Sequence, residues 1–479
     1  MNRRFIVYTL GKIMEVMAAL LLIPMFVGFI YRENAAFIYL GVALATFVIG
    51  YLISRGKPRK TKIFSREGFV IVAFTWILLS MIGALPYTLS GDVPSYIDAV
   101  FETVSGFTTT GSSILPDIES LNQCNLFWRA FTHWIGGMGI LVFVVAILPE
   151  SQGNTLHILK AEIPGPVVGK LVSKIKVTAR ILYYIYAALT IAETVFLLFG
   201  GMPFFDAITT SFATAGTGGF SCKGASIAAY DSAYIDYVVT IFMILFGVNF
   251  NLYFYILIKR LKLAFGSEEL HWYLGIIFSV AILITINTTG LYDSILTAFR
   301  YAIFQVASII TTTGFITYDY TKWPQFSQFL LMILMFVGAS AGSTGGGIKV
   351  SRIMIFAKSG IAELKKALHP HAVTTVQFEG KTVESTTINN IHNYFALYIL
   401  LFIISFILIS FNNLDFASSF SAVSTCLNNV GPGLGVVGPV DNFATLSNFS
   451  KVVLSVDMLA GRLEIFPILL LFSKKLWVK

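Results

Sequence analysis

Charge is scarce in this chain. Asp, Glu, Lys and Arg make up 12% of its 479 residues, about half the roughly 25% of a soluble domain. With 56% hydrophobic residues, too few polar side chains remain to cover a water-soluble fold of this size. Cysteine is scarcer still. Cys124, Cys222 and Cys426 are far apart with no CxxC pair, which excludes a disulfide framework and offers no metal-ligand spacing. The six histidines include no HExxH. No Walker loop, nucleophile elbow or dinucleotide fingerprint opens a helix. No pair of catalytic groups stands at facing depths either, so an intramembrane enzyme is left without candidates and no cofactor is expected. The first apolar stretch lacks a small-residue cleavage site. It ends in Tyr31-Arg32-Glu33-Asn34 and reads as a membrane helix, not a signal peptide.

What the chain has instead is long apolar runs, at 5–30, 36–54, 68–88, 127–148, 180–200, 235–258, 272–290, 325–348, 391–411 and 450–473. Each approaches the roughly 20 residues that cross a bilayer core. Ten crossings put nearly all basic clusters on one side: Arg3 and Arg4, then Arg55, Lys57, Arg59, Lys60, Lys62 and Arg66. Lys160, Lys170, Lys174, Lys176 and Arg180 follow, then Lys259, Arg260 and Lys262, then Lys349, Arg352, Lys358, Lys365, Lys366 and Lys381, and finally Lys474, Lys475 and Lys479. That side is cytoplasmic by the positive-inside rule, with both termini inside. The net charge of +8 therefore reflects topology, and no nucleic-acid partner is expected. The opposite side carries Asp92, Asp98, Glu102, Asp117, Glu119, Asp206, Asp231, Asp236, Asp293, Asp319, Asp415 and Asp441. Such a sign imbalance is expected to concentrate cations at an outer vestibule.

A segment recurs four times between crossings. It runs Asp98-Ala-Val-Phe-Glu-Thr-Val-Ser-Gly-Phe-Thr-Thr-Thr-Gly111, then Asp206 to Gly219, then Tyr301 to Gly314, each with the same spacing of 13, and a looser copy runs from Phe420 to Gly431. The unit is crossing, short helix, glycine loop, crossing. An apolar helix too short to span suits a re-entrant position only where its return loop is buried in protein or lines water. Four such units around one axis aim four helix C-termini, each about half a negative charge, at one centre. Four loops of carbonyls there can replace the hydration shell of a monovalent cation. Glycine supplies backbone angles that a residue with a Cβ resists. The expected ion-binding residues are Thr109, Thr110 and Gly111; Thr217, Gly218 and Gly219; Thr312, Thr313 and Gly314; and Asn429, Val430 and Gly431.

The loops Thr-Thr-Thr-Gly111-Ser, Ala-Gly-Thr-Gly-Gly219-Phe-Ser, Ile-Thr-Thr-Thr-Gly314-Phe and Leu-Asn-Asn-Val-Gly431-Pro-Gly resemble the four filters of the Trk/Ktr/HKT cation transporter superfamily. The two extra leading crossings, and His369-Pro-His-Ala-Val-Thr after the eighth, resemble its TrkH branch rather than KtrB. The resemblance covers essentially the whole chain. It implies an all-α membrane fold: a hairpin over 1–66, then pore repeats over 67–160, 161–268, 269–385 (second helix interrupted) and 386–479. It further implies potassium uptake across a bacterial inner membrane, because glycine at all four filter positions goes with potassium and serine at the first goes with sodium. A homodimer on a cytosolic, TrkA-like nucleotide-binding ring is implied as well. The basic segments 149–180 and 349–385 suit that docking and equally suit anionic lipid. Sodium- or proton-coupled symport, and sodium permeation on the same scaffold, remain alternatives. The fourth loop departs most from the pattern, with Asn429 and Pro432.

The eighth crossing is interrupted by Val337-Gly-Ala-Ser-Ala-Gly-Ser-Thr-Gly-Gly-Gly347-Ile-Lys349. Each interior glycine costs about 1 kcal/mol in a helix, so Gly338, Gly342, Gly345, Gly346 and Gly347 break it within the membrane. The resulting loop reads as a gate beneath the filter, as in the TrkH intramembrane loop, or as a plain surface turn. Lys349 either lines the pore or meets an acidic or phospholipid partner. Arg462 sits amid an apolar stretch, where a charge is costly and functional by default. It reads as an electrostatic barrier in the path, as TrkH-like proteins imply, or as a structural partner of Asp457 or Glu464. Glu15 and Glu193 read as satisfied structural carboxylates, with a proton relay as the alternative. The run Trp134-Ile-Gly-Gly-Met-Gly-Ile140 reads as close helix packing.

Overall fold

The architecture is that of a computed structural model, which describes residues 2–56, 58, 65–139, 175–370 and 374–474. Lys57, Arg59, Lys60, Lys62, Lys160, Lys170, Lys174, Lys475 and Lys479, the side chain of Lys176, His371 to Val373, and the end of the fourth crossing at 140–148 lie outside the described residues.

Helices dominate. α1 (Arg3–Ile30) and α2 (Ala35–Ser54) form the leading hairpin. Their backbones touch where Gly11 faces Gly50: a Cβ on either would lie 2.8 Å from the other's carbonyl. Glu15 beside this crossing accepts from Lys12 Nζ and Ser54 Oγ, so it is a satisfied structural carboxylate.

The element order then repeats. α3 (Ser65–Ser90), α4 (Tyr96–Phe107) and α5 (Gln123–Gly137) make the first unit. α6 (Ile175–Phe199), α7 (Phe204–Gly216), α8 (Ala233–Phe246) and α9 (Phe250–Leu257) make the second, followed by a short α10 (Leu261–Phe265). α11 (Glu268–Thr288), α12 (Ile295–Ile310), α13 (Gln325–Val337) and α14 (Val350–Leu368) make the third. After a small hairpin of Gln377–Phe378 with Lys381–Thr382, α15 (Ser385–Ser410), α16 (Phe416–Asn428), α17 (Asn448–Arg462) and α18 (Phe466–Leu471) complete the fourth.

α4, α7, α12 and α16 have 12, 13, 16 and 13 residues. At 1.5 Å per residue they reach only roughly 18 to 24 Å, short of a bilayer core. Three of them begin at side-chain caps, Ser95, Ser294 and Asp415, and α7 begins after Pro203. Both devices satisfy or remove orphan N–H groups at a helix start.

Six described helices are long and apolar enough to cross a membrane, and a seventh span is bent. The eighth crossing is interrupted as expected, between Val337 and Val350, and two more, read from the sequence as continuous, are broken as well. The sixth bends by 91° between Phe246 and Phe250, and the tenth stops at Arg462 and restarts at Phe466. Neither break carries a glycine run. At the sixth, Phe250 N–H leaves its helix to bond Gly342 O at 3.1 Å. At the tenth, Glu464 and Ile465 take positive φ of 57° and 69°, a conformation that costs a residue with a Cβ about 1–2 kcal/mol. A bond from Ile465 N–H to Ala460 O and the ion pair of Glu464 with Arg352 hold that turn.

Candidate functional site

The four short helices end in four loops with one backbone pattern. Thr109, Thr217, Thr312 and Asn429 all lie in the left-handed region, with φ of 54°, 55°, 59° and 55°, and Gly111, Gly219, Gly314 and Gly431 follow at 81°, 76°, 81° and 102°. In each loop the N–H just before the glycine donates to the carbonyl five residues earlier: Thr110 to Ser105 (2.9 Å), Gly218 to Ala213 (2.9 Å), Thr313 to Ser308 (2.8 Å) and Val430 to Thr425 (2.9 Å). Threonine in the left-handed region is an outlier that persists only where the surroundings over-determine it. Here it recurs with the same bond beside it.

The loops meet in a closed ring. A Cβ on Gly111 would lie 2.0 Å from Gly218 O; on Gly219, 2.0 Å from Thr313 O; on Gly314, 2.3 Å from Val430 O; and on Gly431, 2.8 Å from Thr110 O. Each glycine thus backs onto the carbonyl preceding the next loop's glycine, in cyclic order. The fourth loop takes its full part. Asn429 Nδ2 donates to Thr110 Oγ1 and to Met458 O, both at 2.9 Å, and Ser112 Oγ donates to Gly431 O at 3.0 Å. The residue that departs from the repeat pattern is the one that ties the last loop to the first.

At the left-handed positions, Thr217 Oγ1 donates to Gly216 O and Thr312 Oγ1 accepts from Gly346 N–H, both at 2.6 Å. Thr109 Oγ1 and Asn429 Oδ1 are buried with no hydrogen-bond partner among the described residues. An unmet buried polar atom costs about 1–3 kcal/mol, and both of these stand at the left-handed position of their loop.

On one side the ring opens into a cavity lined by Gly111, Gly219, Gly314 and Gly431. Of the twelve acidic residues expected at an outer vestibule, Asp441 alone lines this cavity, alongside Arg129 and Lys223. Most of the others have partners: Glu102 and Glu119 pair with the cavity's own Arg129 and Lys223, and Asp98 pairs with Lys451, Asp236 with Arg300 and Asp319 with Lys322. Asp92 accepts from Asn122 and Asn125, and Asp206 from Tyr230. The wall of this cavity is therefore not itself broadly acidic; many of the carboxylates tie elements together instead.

Arg129 and Glu102, both 1% exposed, form a buried ion pair at 2.8 Å behind the first loop. Glu102 also accepts from Ser113 Oγ and Ile114 N–H, and Arg129 donates to Ser221 O and covers the Phe220 ring at 4.1 Å. Removing one partner of such a pair strands the other and costs about 3–5 kcal/mol. Arg129→Met is expected to lower the thermal unfolding midpoint of the detergent-purified protein by several degrees; an unchanged midpoint would count against this bracing role.

Beneath the ring lies the glycine segment 338–349. Gly346 N–H donates to Thr312 Oγ1 at 2.6 Å and Gly347 N–H to Asn428 O at 3.0 Å, so the segment touches the third and fourth loops directly. Ser340 N–H bonds Gly247 O at 3.1 Å, and Thr344 Oγ1 bonds Phe246 O at 3.2 Å. Glu269 Oε1 accepts from Ala341 N–H (2.7 Å) and Ser351 N–H (3.2 Å), so one carboxylate grips the segment within it and just past its end. The segment is buried in protein rather than lying at a surface; Gly338, Gly342 and Gly347 have positive φ, while Gly345 and Gly346 do not. Lys349 is 2% exposed and its Nζ donates back to Gly345 O.

Arg462 joins this assembly. It donates to Thr344 O at 2.8 Å and to Gly136 O and Gly137 O at 2.6 and 2.7 Å. Asp457 takes its bond from Ser405 at 2.6 Å, and Glu464 pairs with Arg352. Gly136 and Gly137 are the small residues of the packing run: their Cβ atoms would fall 1.9 Å from Phe107 O and 2.6 Å from Gly216 Cα. Glu269, Arg129, Ser112 and the 247–249 break were missed by sequence reasoning. No repeat or spacing marks them, because they matter through contacts with distant segments.

Comparison with known proteins places this arrangement among relatives. The family model for TrkH, described as cation transport protein, matches residues 37–290 and 270–478. The chain is 38% identical to the Trk system potassium uptake protein TrkH of Salmonella typhimurium, over all of both chains. It is 33% identical to the TrkG protein of Escherichia coli, covering 99% of this chain and 98% of that one. The crystal structure of the potassium transporter TrkH from Vibrio parahaemolyticus superposes with a TM-score of 0.90 at 34% identity, covering all of both chains.

Proposed function

This chain belongs to the TrkH family of cation transport proteins, and from that premise we propose that it takes up potassium by passing the bare ion through the ring of four glycine loops. It is a multi-pass membrane transporter, not an enzyme. The observation that carries the proposal is the cyclic contact of Gly111, Gly219, Gly314 and Gly431 with the next loop's carbonyl. Only four loops sharing one axis can close in that order, and only such a ring presents carbonyls from all sides to one ion.

In this reading a potassium ion sheds water at the cavity above the ring, and the carbonyls of residues 109–111, 217–219, 312–314 and 429–431 stand in for it. The C-termini of the four short helices lend their partial negative charge. Thr109 Oγ1 and Asn429 Oδ1, unpartnered among the described residues, are completed by the ion or its water. No cofactor takes part; potassium is the substrate. The five-part division at 66, 160, 268 and 385 follows from the same scheme, with both termini cytoplasmic in the inner membrane.

Segment 338–349 acts as the gate. Its N–H groups lean on Thr312 and Asn428 from below, and Arg462 pins Thr344. Deleting 338–347 is expected to raise flux several-fold and to abolish its regulation, measured as isotope uptake into vesicles; unchanged, still regulated uptake would contradict a gating role. Within a Trk system the chain works in lipid with a regulatory partner. The proposed arrangement is a homodimer docked through 149–180 and 349–385 on a TrkA-like ring. Potassium against sodium uptake into proteoliposomes, with and without a proton gradient, tests the function. Potassium flux indifferent to that gradient and to sodium supports a pore, flux driven by either supports coupled symport, and flux without potassium preference overturns the filter.

A further inference from the structure

The four loops are not anchored alike, and the difference points to a residue outside them. The position before the filter glycine is Thr110, Gly218, Thr313 and Val430. In the first and third loops the threonine ties its own strand to the helix end: Thr108 Oγ1 meets Thr110 Oγ1, and Thr311 Oγ1 meets Thr313 Oγ1, both at 2.7 Å. In the fourth loop Val430 is fully buried and holds its strand by packing. The second loop has no side chain there at all.

Backbone geometry does not require that glycine, since Gly218 is absent from the positive-φ residues. Space does. A Cβ on Gly218 would lie 1.5 Å from His133 Nδ1 and 2.1 Å from His133 Cε1, inside the imidazole ring. His133, on α5, is fully buried, and neither ring nitrogen has a hydrogen-bond partner among the described residues. Its other ring contact is Phe220, edge to face at 4.2 Å, and Phe220 in turn packs under Arg129 four residues away on the same helix face. Among the described residues the imidazole therefore makes no polar contact that would explain a histidine in the helix. It fills the space behind the second filter loop.

We propose that His133 is a selectivity-determining positioning residue, whose ring replaces the side chain missing at Gly218 and holds the Gly218 carbonyl in the filter. That carbonyl is the one that presses on Gly111, so a shift at His133 passes to the first loop as well. The ring acts by volume: close packing leaves the carbonyl no room to turn, whereas a gap lets it rotate away from the ion. The proposal rests on the filter reading above.

The test is competitive uptake of potassium and sodium into proteoliposomes by the full chain and its variants. His133→Ala is expected to lose about tenfold in potassium-over-sodium preference, equivalent to about 1.4 kcal/mol. His133→Phe, which keeps a ring, is expected to retain more of that preference than His133→Ala. Gly218→Val alone is expected to abolish transport, because its side chain meets the ring. The double variant His133→Ala/Gly218→Val copies the fourth loop's arrangement and is expected to transport again, with a preference above that of His133→Ala. A general packing role predicts additive damage, not this mutual rescue. Wild-type preference in His133→Ala, a double variant no better than Gly218→Val, or His133→Phe as poor as the alanine variant would each overturn the proposal. Should His133→Ala fail to assemble, the phenylalanine and double variants decide. Loss of potassium preference in the unmodified chain would instead condemn the filter reading itself.

Discussion

Gly111→Ser is expected to reduce potassium-over-sodium preference by about 10- to 100-fold, an effect of roughly 1.4–2.8 kcal/mol. Two costs act together. The backbone at Gly111 sits at φ of 81°, where a residue with a Cβ is strained by about 1–2 kcal/mol. The new Cβ would also lie 2.0 Å from Gly218 O, far inside contact distance, and the obstacle is backbone rather than a side chain that can swing aside. Relief requires the second loop's carbonyl to turn or the two loops to part. Either change removes a ligand suited to a dehydrated potassium ion and leaves room for a hydrated sodium ion. The same substitution around the ring supplies a graded control. Gly219→Ser faces the same 2.0 Å approach, Gly314→Ser one of 2.3 Å and Gly431→Ser one of 2.8 Å, so the loss is expected to diminish in that order. Competitive isotope uptake reads all four. An unchanged ratio in Gly111→Ser, with flux retained, would remove the ring from the account of selectivity.

Arg462→Ala is expected to raise potassium flux by about tenfold or more, equivalent to lowering a barrier by roughly 1.4 kcal/mol. The guanidinium reaches Thr344 O in segment 338–349 and Gly136 O and Gly137 O at the end of α5. Hydrogen bonds to a charged group contribute about 1.5–3 kcal/mol each, so in the proposed reading the arginine both latches the segment and places a positive charge beneath the ring. Arg462→Lys separates the two effects. Lysine keeps the charge but lacks the planar fork that spans both sets of carbonyls. Flux in the lysine variant near wild type identifies the charge as the barrier, whereas flux near the alanine variant identifies the latch. Equal currents in all three would sink both roles.

The ring also shows why some of the site could be read directly and some could not. The spacing of 13 from Asp98, Asp206 and Tyr301 to Gly111, Gly219 and Gly314 is a local property: the same helix length and turn recur, so the same loop geometry follows. Asn429 looked like the weak point of the fourth copy, because the pattern has threonine there. Its amide makes the bonds to Thr110 and Met458, a role defined by a residue more than three hundred positions away. Composition counts charges on one side of the membrane but is blind to which of the acidic residues find an arginine or lysine partner, as Glu102 and Glu119 do. The breaks after Phe246 and Arg462 carried no glycine run, since Gly342 O and the Arg352–Glu464 pair hold those turns from segments distant in sequence.

By itself, then, this sequence determined that the chain lies in a membrane, that four hairpins recur in it, and which glycines stand at their turns. Each of these follows from apolar length, periodicity and backbone preference, which are free energies of short stretches of chain. Tertiary structure alone decided that the hairpins close in cyclic order, that Glu269 and Arg462 grip segment 338–349, and that His133 fills the place of the side chain the second loop does not have. Those outcomes depend on which surfaces, far apart in sequence, come to exclude one another's atoms, and no local preference encodes that choice.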